Sequence, residues 1–185
     1  LEALGLERVR FAGVSKGGMV GMWLGIHEPD RVERLVLANT SAYIGAPEVW
    51  NGRIETVKRD GMAAIVPGVI ERWFTSRFQK ADPAAVERIA SMLRGIPPQG
   101  YVACCAAVRD MDQRADIARI SAPTLVISGT HDGATPPSHA QLIAGEIAGA
   151  ALVDLDAAHL SNIEQADLFT RNLVGFLTMA ETPNG

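Results

Sequence analysis

The sequence predicts an α/β fold with a parallel sheet, on three observations. Short continuous apolar runs, Leu35-Val-Leu-Ala38 and the proline-led Ala122-Pro-Thr-Leu-Val-Ile-Ser-Gly129, read as strands covered on both faces. Helical stretches separate such runs at the spacing of βαβ units. Residues 47–120 then break the alternation with helical periodicity and no convincing strand, a connection too long for a simple crossover. The chain accordingly divides into 1–46 and 121–185, two parts of one α/β core, with 47–120 as a helical cap inserted between them.

The first part is organised around residues 8–27. Val9, Phe11 and Val14 give strand character that turns sharply at Ser15 into a helix. Gly13-Val-Ser-Lys-Gly17 matches G-x-S-x-G, in which glycines flank a serine held on a strained strand-to-helix turn. Cβ atoms two positions either side of that serine are expected to find no room. Gly17, Gly21 and Gly25 recur every four residues and are expected to give the helix one smooth face towards the sheet. Pro29 and Asp30 end this helix, the strand Leu35–Ala38 follows, and Asn39-Thr-Ser marks a loop at the strand's carboxyl end, where open α/β sheets take ligands.

In the insertion, helical periodicity runs over 48–59, 70–78 and 83–93, interrupted by Pro67, Pro97 and Pro98. After the strand ending at Gly129 come the loop 130–137, a helix over 138–148, a last strand Ala151–Leu155, the loop 156–161, and an amphipathic helix over 162–179 before a short polar tail.

A net charge of −4 without any basic block argues against nucleic-acid binding. The apolar stretches are too short to span a membrane, and the segment carrying the glycine repeat is closed by His27, Glu28 and Asp30. No secretory signal is expected from these residues. Cys104 and Cys105 are adjacent, poorly placed for a disulfide and without histidines for a metal site. They read as small buried helix residues in a reducing compartment, and the expected location is cytoplasmic.

A serine hydroxyl needs a basic histidine to take its proton and a carboxylate to orient that histidine. Asp132 lies in the loop after one predicted strand and His159 in the loop after the next, so the order is Ser15, Asp132, His159, all at the carboxyl edge of a parallel sheet. The other candidates fit worse. His27 ends a helix and His139 begins one. His131 adjoins the acid and points the other way along an extended backbone. Asp154 and Asp156 stand too close to His159 in sequence. The backbone N–H of Lys16, next to the nucleophile, is the expected oxyanion donor; its partner donor belongs to a loop after an earlier strand, outside this sequence.

Several segments carry a resemblance: GVSKGGMVGMWLGIH around Ser15, EVWNGRIETV and ERWF in the cap, PQGYVACCAAVRDMD at 98–112, SGTHD ending at Asp132, and AAHLSNIE around His159. The chain resembles the α/β-hydrolase superfamily and, within it, the 3-oxoadipate enol-lactonases of bacterial aromatic-acid catabolism. The elbow and SGTHD are generic to the superfamily, whereas the cap segments discriminate within it. The resemblance implies an α/β-hydrolase fold and opening of a small-molecule enol-lactone to 3-oxoadipate, a step of the β-ketoadipate pathway. In that reaction Ser15 attacks, His159 takes the proton and Asp132 orients it, with neither metal nor organic cofactor. Trp50 and Trp73 are candidate linings of an acyl pocket, with plain packing as the alternative. Competing expectations are a carboxylesterase or haloperoxidase-like enzyme with the same triad, and an inactive truncated product.

Two departures stand out. Lys16 occupies a position where relatives usually carry Met or Gln; its amine is expected either to pair with a substrate carboxylate or, preferably, to snorkel to solvent. The strands that precede the nucleophile strand in the fold are missing, so the sequence is expected to be a fragment. The Ser15 strand would then be an exposed apolar edge, open to pairing with a second chain, and the isolated polypeptide poorly active and marginally stable.

Overall fold

A computed structural model describes residues 1–179; the polar tail beyond Met179 lies outside them. Strands β1 (Val9–Val14), β2 (Val32–Ala38), β3 (Thr124–Gly129) and β4 (Ala151–Leu155) form a parallel sheet in the order β1-β2-β3-β4. Helix α1 (Lys16–His27) connects β1 to β2, and α7 (Pro137–Glu146) connects β3 to β4. Between β2 and β3 stand α2 (Pro47–Asp60), α3 (Val66–Trp73), α4 (Ser76–Ala81), α5 (Pro83–Arg94) and α6 (Pro98–Asp110). The chain continues after β4 with α8 (Ser161–Glu164) and α9 (Ala166–Leu177).

Alternation along the strands sorts the core into two layers. Leu35, Leu37 and Val126 point to one face and pack with Met19, Met22 and Ile26 of α1 and Ile143 of α7. Val36, Ala38, Leu125 and Ile127 point to the other, against Phe169 and the half-buried Leu173 and Phe176 of α9. A third cluster belongs to the insertion: Val66, Val69, Ile70 and Phe74 close on Ala90 and Leu93, with Leu160 and Ile163 from beyond β4 packed against them. The insertion thus has its own apolar centre and rests it on the segment that carries His159.

The glycine face of α1 is real but shifted by one position from expectation. A Cβ on Gly21 would stand 3.0 Å from the Phe11 ring, and one on Gly18 would overlap Thr40 at 2.6 Å, whereas one on Gly17 would meet nothing within 4 Å. The close face is therefore Gly18, Gly21 and Gly25. Val20 and Trp23 on the same helix are half exposed.

Two predicted helices are broken. The pattern over 70–78 is interrupted where Phe74 is extended and Thr75 caps α4. The pattern over 162–179 is split at Gln165 into α8 and α9. The first break has a clear physical cause. The Glu164 carboxylate accepts from the Thr75 N–H (2.8 Å) and the Thr75 hydroxyl (2.7 Å), which takes that N–H out of the helical ladder, and it also accepts the Ala158 N–H (3.1 Å).

Leu35 is fully buried between α1 and the sheet. Leu35→Ala removes its contacts on that face and is expected to lower unfolding stability by about 2–5 kcal/mol, measured as a fall in the urea midpoint at unchanged slope.

Candidate active site

The site grows from the turn between β1 and α1. Ser15 adopts φ 54° and ψ −117°, a conformation that side chains other than glycine rarely take. The turn is held from below: the Ser15 N–H donates to the Ala38 carbonyl at 2.8 Å, and the Thr40 hydroxyl donates to the Ser15 carbonyl at 2.6 Å. Gly13 permits it, since a Cβ there would lie 2.2 Å from the Gly17 carbonyl carbon. Among the described residues nothing would lie within 4 Å of a Cβ on Gly17, so the expected crowding is found at Gly13 and not at Gly17. Lys16 opens α1, and its N–H belongs to the first helical turn, whose donors have no carbonyl inside the helix.

The loops after β3 and β4 are bound to one another above the sheet. The Thr130 N–H donates to Leu155 and the His131 N–H to Ala157, at 2.9 and 3.0 Å. Gly129 allows the crossing, because a Cβ on it would sit 2.3 Å from the Ala158 carbonyl. The result brings Ser15, His159 and Asp132 into one line. His159 Nε2 is 2.8 Å from Ser15 Oγ, and His159 Nδ1 is 2.8 Å from Asp132 Oδ2. His159 and Asp132 are 2% and 4% exposed, so the line is shielded from water along most of its length.

Asp132 is the most heavily bonded group in the site. Its Oδ1 accepts the N–H groups of Ala134 and Thr135, both at 2.8 Å. Its Oδ2 accepts the Thr135 hydroxyl at 2.8 Å and the Asn39 amide at 3.1 Å. Burial works against the charge, but His159, the Thr135 N–H and Asn39 outweigh it and hold the carboxyl below its ordinary pKa. Sequence reasoning placed Asn39 at the ligand edge of the sheet but missed that it and Thr135 support the acid. Asn39, also at positive φ (44°), bonds Ala158 through its amide and accepts from Ser161 Oγ at 2.5 Å. Its only signal was its place directly after β2.

The remaining histidines lie elsewhere. His27 lies tilted against Trp23, ring centres 4.7 Å apart, and His131 reaches Asp156 at 2.8 Å. His139 sits in α7, its pKa pulled below the ordinary value by burial. Trp73 comes to the site, its ring 5.8 Å from that of His159. Trp50 packs beside the core layer of α1 and lies under the Arg53 guanidinium at 4.9 Å. Arg72, next to Trp73, runs along Gly133, one residue from Asp132. Burial first, and then the like charge of Arg53, push the Arg72 pKa down. Among the described residues neither Arg53 nor Arg72 is ion-paired with a carboxylate.

The Lys16 amine does not snorkel free. It donates to Cys104 Sγ of α6 at 2.7 Å. No group of three or more His, Cys, Asp or Glu side chains among the described residues could hold a metal ion, and no helix among them is long and apolar enough to cross a membrane. A surface hollow of about 510 Å³, lined by Glu2, Leu6, Glu7 and Arg31, lies before β1, at the opposite end of that strand from Ser15.

No family model matches the chain. Among curated proteins it is 37% identical to 3-oxoadipate enol-lactonase 2 of Acinetobacter baylyi, over 91% of this chain and 63% of that protein. Among solved structures, the enol-lactonase of Burkholderia xenovorans LB400 superposes with a TM-score of 0.94 at 42% identity, covering 96% of this chain and 68% of that one. A thermophilic esterase of Thermogutta terrifontis superposes at 0.89 with 29% identity, over 95% and 67%. The chain spans 63 to 66% of the length of the curated enol-lactonases it matches. A parallel sheet, a serine on a positive-φ turn and close likeness to these proteins together establish that the chain belongs to the α/β-hydrolase superfamily, in the family that includes the 3-oxoadipate enol-lactonases.

Proposed function

We propose that this chain carries the catalytic residues of a serine hydrolase that opens 3-oxoadipate enol-lactone to 3-oxoadipate in the β-ketoadipate pathway, and that it works in the cytoplasm. The observation that carries the proposal is the Ser15–His159–Asp132 line, with 2.8 Å at each of its two hydrogen bonds. His159 Nε2 takes the Ser15 proton as Oγ attacks the lactone carbonyl, and Asp132 fixes the ring by accepting its Nδ1–H. The oxyanion is met by the Lys16 N–H at the positive end of α1. Collapse expels the ring oxygen as an enol, protonated by His159, and leaves an acyl group on Ser15. Water activated by the same histidine then releases the acid. No step calls for a metal or an organic cofactor. The two free cysteines support the reducing setting.

The lactone carries a carboxylate, and the cap offers cations for it. Arg72 is exposed beside Trp73, Arg53 is half-buried, and neither has a carboxylate partner among the described residues. Cations without a carboxylate partner can take an incoming anion in charge-assisted hydrogen bonds. Trp73, tilted over His159, supplies an apolar wall for the ring.

The isolated polypeptide is expected to hydrolyse the enol-lactone slowly, and Ser15→Ala to lower that rate by at least about 10³-fold. Equal or faster turnover of simple neutral esters would demote the lactonase reading to that of a carboxylesterase with the same three residues. Arg72→Gln is expected to cut kcat/KM for the anionic lactone by about 10- to 100-fold relative to that for its methyl ester; an unchanged ratio would remove Arg72 from substrate binding.

Asn39→Gly keeps the positive-φ backbone unstrained and removes only the side chain that supports Asp132. The carboxyl has a depressed pKa in the folded protein, so its bonds stabilise the fold above the ordinary carboxylate range and cease to do so as pH falls through the folded value. The variant is expected to be less stable by about 1.5–3 kcal/mol at neutral pH, with the gap narrowing in acid. A gap independent of pH between 7 and about 3 would show that Asn39 does not support the charge.

A further inference from the structure

Lys16 and Cys104 are 88 residues apart in the chain, one at the first turn of α1 and the other on α6 of the insertion, yet the amine nitrogen and the sulfur stand 2.7 Å apart. The pair does not sit in a salt-bridge network: Lys16 has no carboxylate partner among the described residues, and both cysteines are free. It is reachable, since Lys16 is exposed and Cys104 half-buried. Cys105 beside it is the opposite case. It is buried, its thiol pushed up by that burial against the opposing influence of Tyr101, and so it is poorly suited to reaction with oxidants.

We propose that Lys16 and Cys104 form an oxygen-bridged covalent cross-link, S–O–N, under peroxide. One oxygen atom bonded to both, at an ordinary bent angle, spans the observed separation without moving either helix. The chemistry closes with hydrogen peroxide as the oxidant. A first peroxide transfers one oxygen to the Cys104 thiol, giving the sulfenic acid and water. A second accepts two electrons as the sulfenic O–H and one amine N–H give up their hydrogens and the N–O bond forms, leaving as two waters. Sulfur and nitrogen each lose two electrons, four in all, matched by two peroxides. The bridge pins α6 to the turn that carries Ser15, so the cap can no longer move relative to the nucleophile. Thiols such as dithiothreitol reduce it and restore the amine and the thiol.

The test is the mass of the full chain after graded hydrogen peroxide. The expected product has gained one oxygen and lost two hydrogens. Proteolysis yields a cross-linked peptide pair containing Lys16 and Cys104, and dithiothreitol returns the original mass. Lys16→Arg and Cys104→Ser abolish the species, with circular dichroism confirming that each variant is folded, whereas Cys105→Ser keeps it. Several results would overturn the proposal: Cys104 sulfinic or sulfonic acid with Lys16 unmodified, loss of two hydrogens with no oxygen gained, persistence of the product in Lys16→Arg, or no change in mass. Hydrolase activity, where assayed, is expected to fall in step with the cross-link and to survive the same dose in Cys104→Ser. The mass readout is independent of substrate, so failure of the lactonase proposal leaves it standing.

Discussion

The geometry of the site depends on how the parallel strands end. Val14, Ala38, Ile127 and Val153 lie abreast across the sheet. Every loop that leaves β1, β2, β3 or β4 therefore rises from one edge, within a few residues of its neighbours. Ser15 follows β1 directly, Asn39 follows β2 directly, and Asp132 and His159 stand three and four residues beyond the ends of β3 and β4. A parallel sheet cannot place these loops at opposite ends, because each strand enters from the same side. Backbone pairing thus does the coarse placement, and the side chains need only settle the last few ångströms.

Those last ångströms are fixed by polar groups that must be satisfied once buried. A carboxylate 4% exposed is costly unless donors surround it, and Asp132 has backbone N–H groups on one oxygen and Thr135, Asn39 and His159 on the other. Asn39 is itself aimed by Ser161 and by the Ala158 carbonyl. The network runs from β2 through the acid to the histidine loop, so the imidazole is oriented by groups from three strand ends. Thr135, whose hydroxyl lies 3.3 Å from His159 Nδ1 as well as bonding Asp132, limits how far the ring can swing.

Much of this was legible in the sequence. Apolar runs located β1 to β4, and G-x-S-x-G with an aspartate and a histidine in the loops after later strands named the three residues now seen in line. What escaped depends on contacts that a linear pattern does not encode. Asn39 looks like any loop residue until its positive φ and its partners are known. Glu164 lies in a helix-forming stretch, and only its bonds to Thr75 explain why the predicted helix over 70–78 is broken. Gly17 fits the motif better than Gly18, yet Gly18 is the one facing Thr40. Trp50 and Trp73 look equivalent in sequence, and only packing separates the one under Arg53 from the one over His159.

The insertion and the site share hydrogen bonds, and this decides how the two parts behave together. Leu160, next to His159, donates its N–H to the Trp73 carbonyl at 3.1 Å, and Glu164 ties Ala158 to Thr75. Arg77 of α4 reaches Asp156 at 2.9 Å, although that exposed pair adds little energy by itself. The histidine loop is thus anchored from below by the sheet and from above by α3 and α4. A group that binds against Trp73 or Arg72 presses on the same segment that aims the imidazole. On the proposed function, contacts to the non-reacting part of a substrate would therefore be felt at the catalytic base, which is how remote binding energy comes to act on the chemical step rather than on affinity alone.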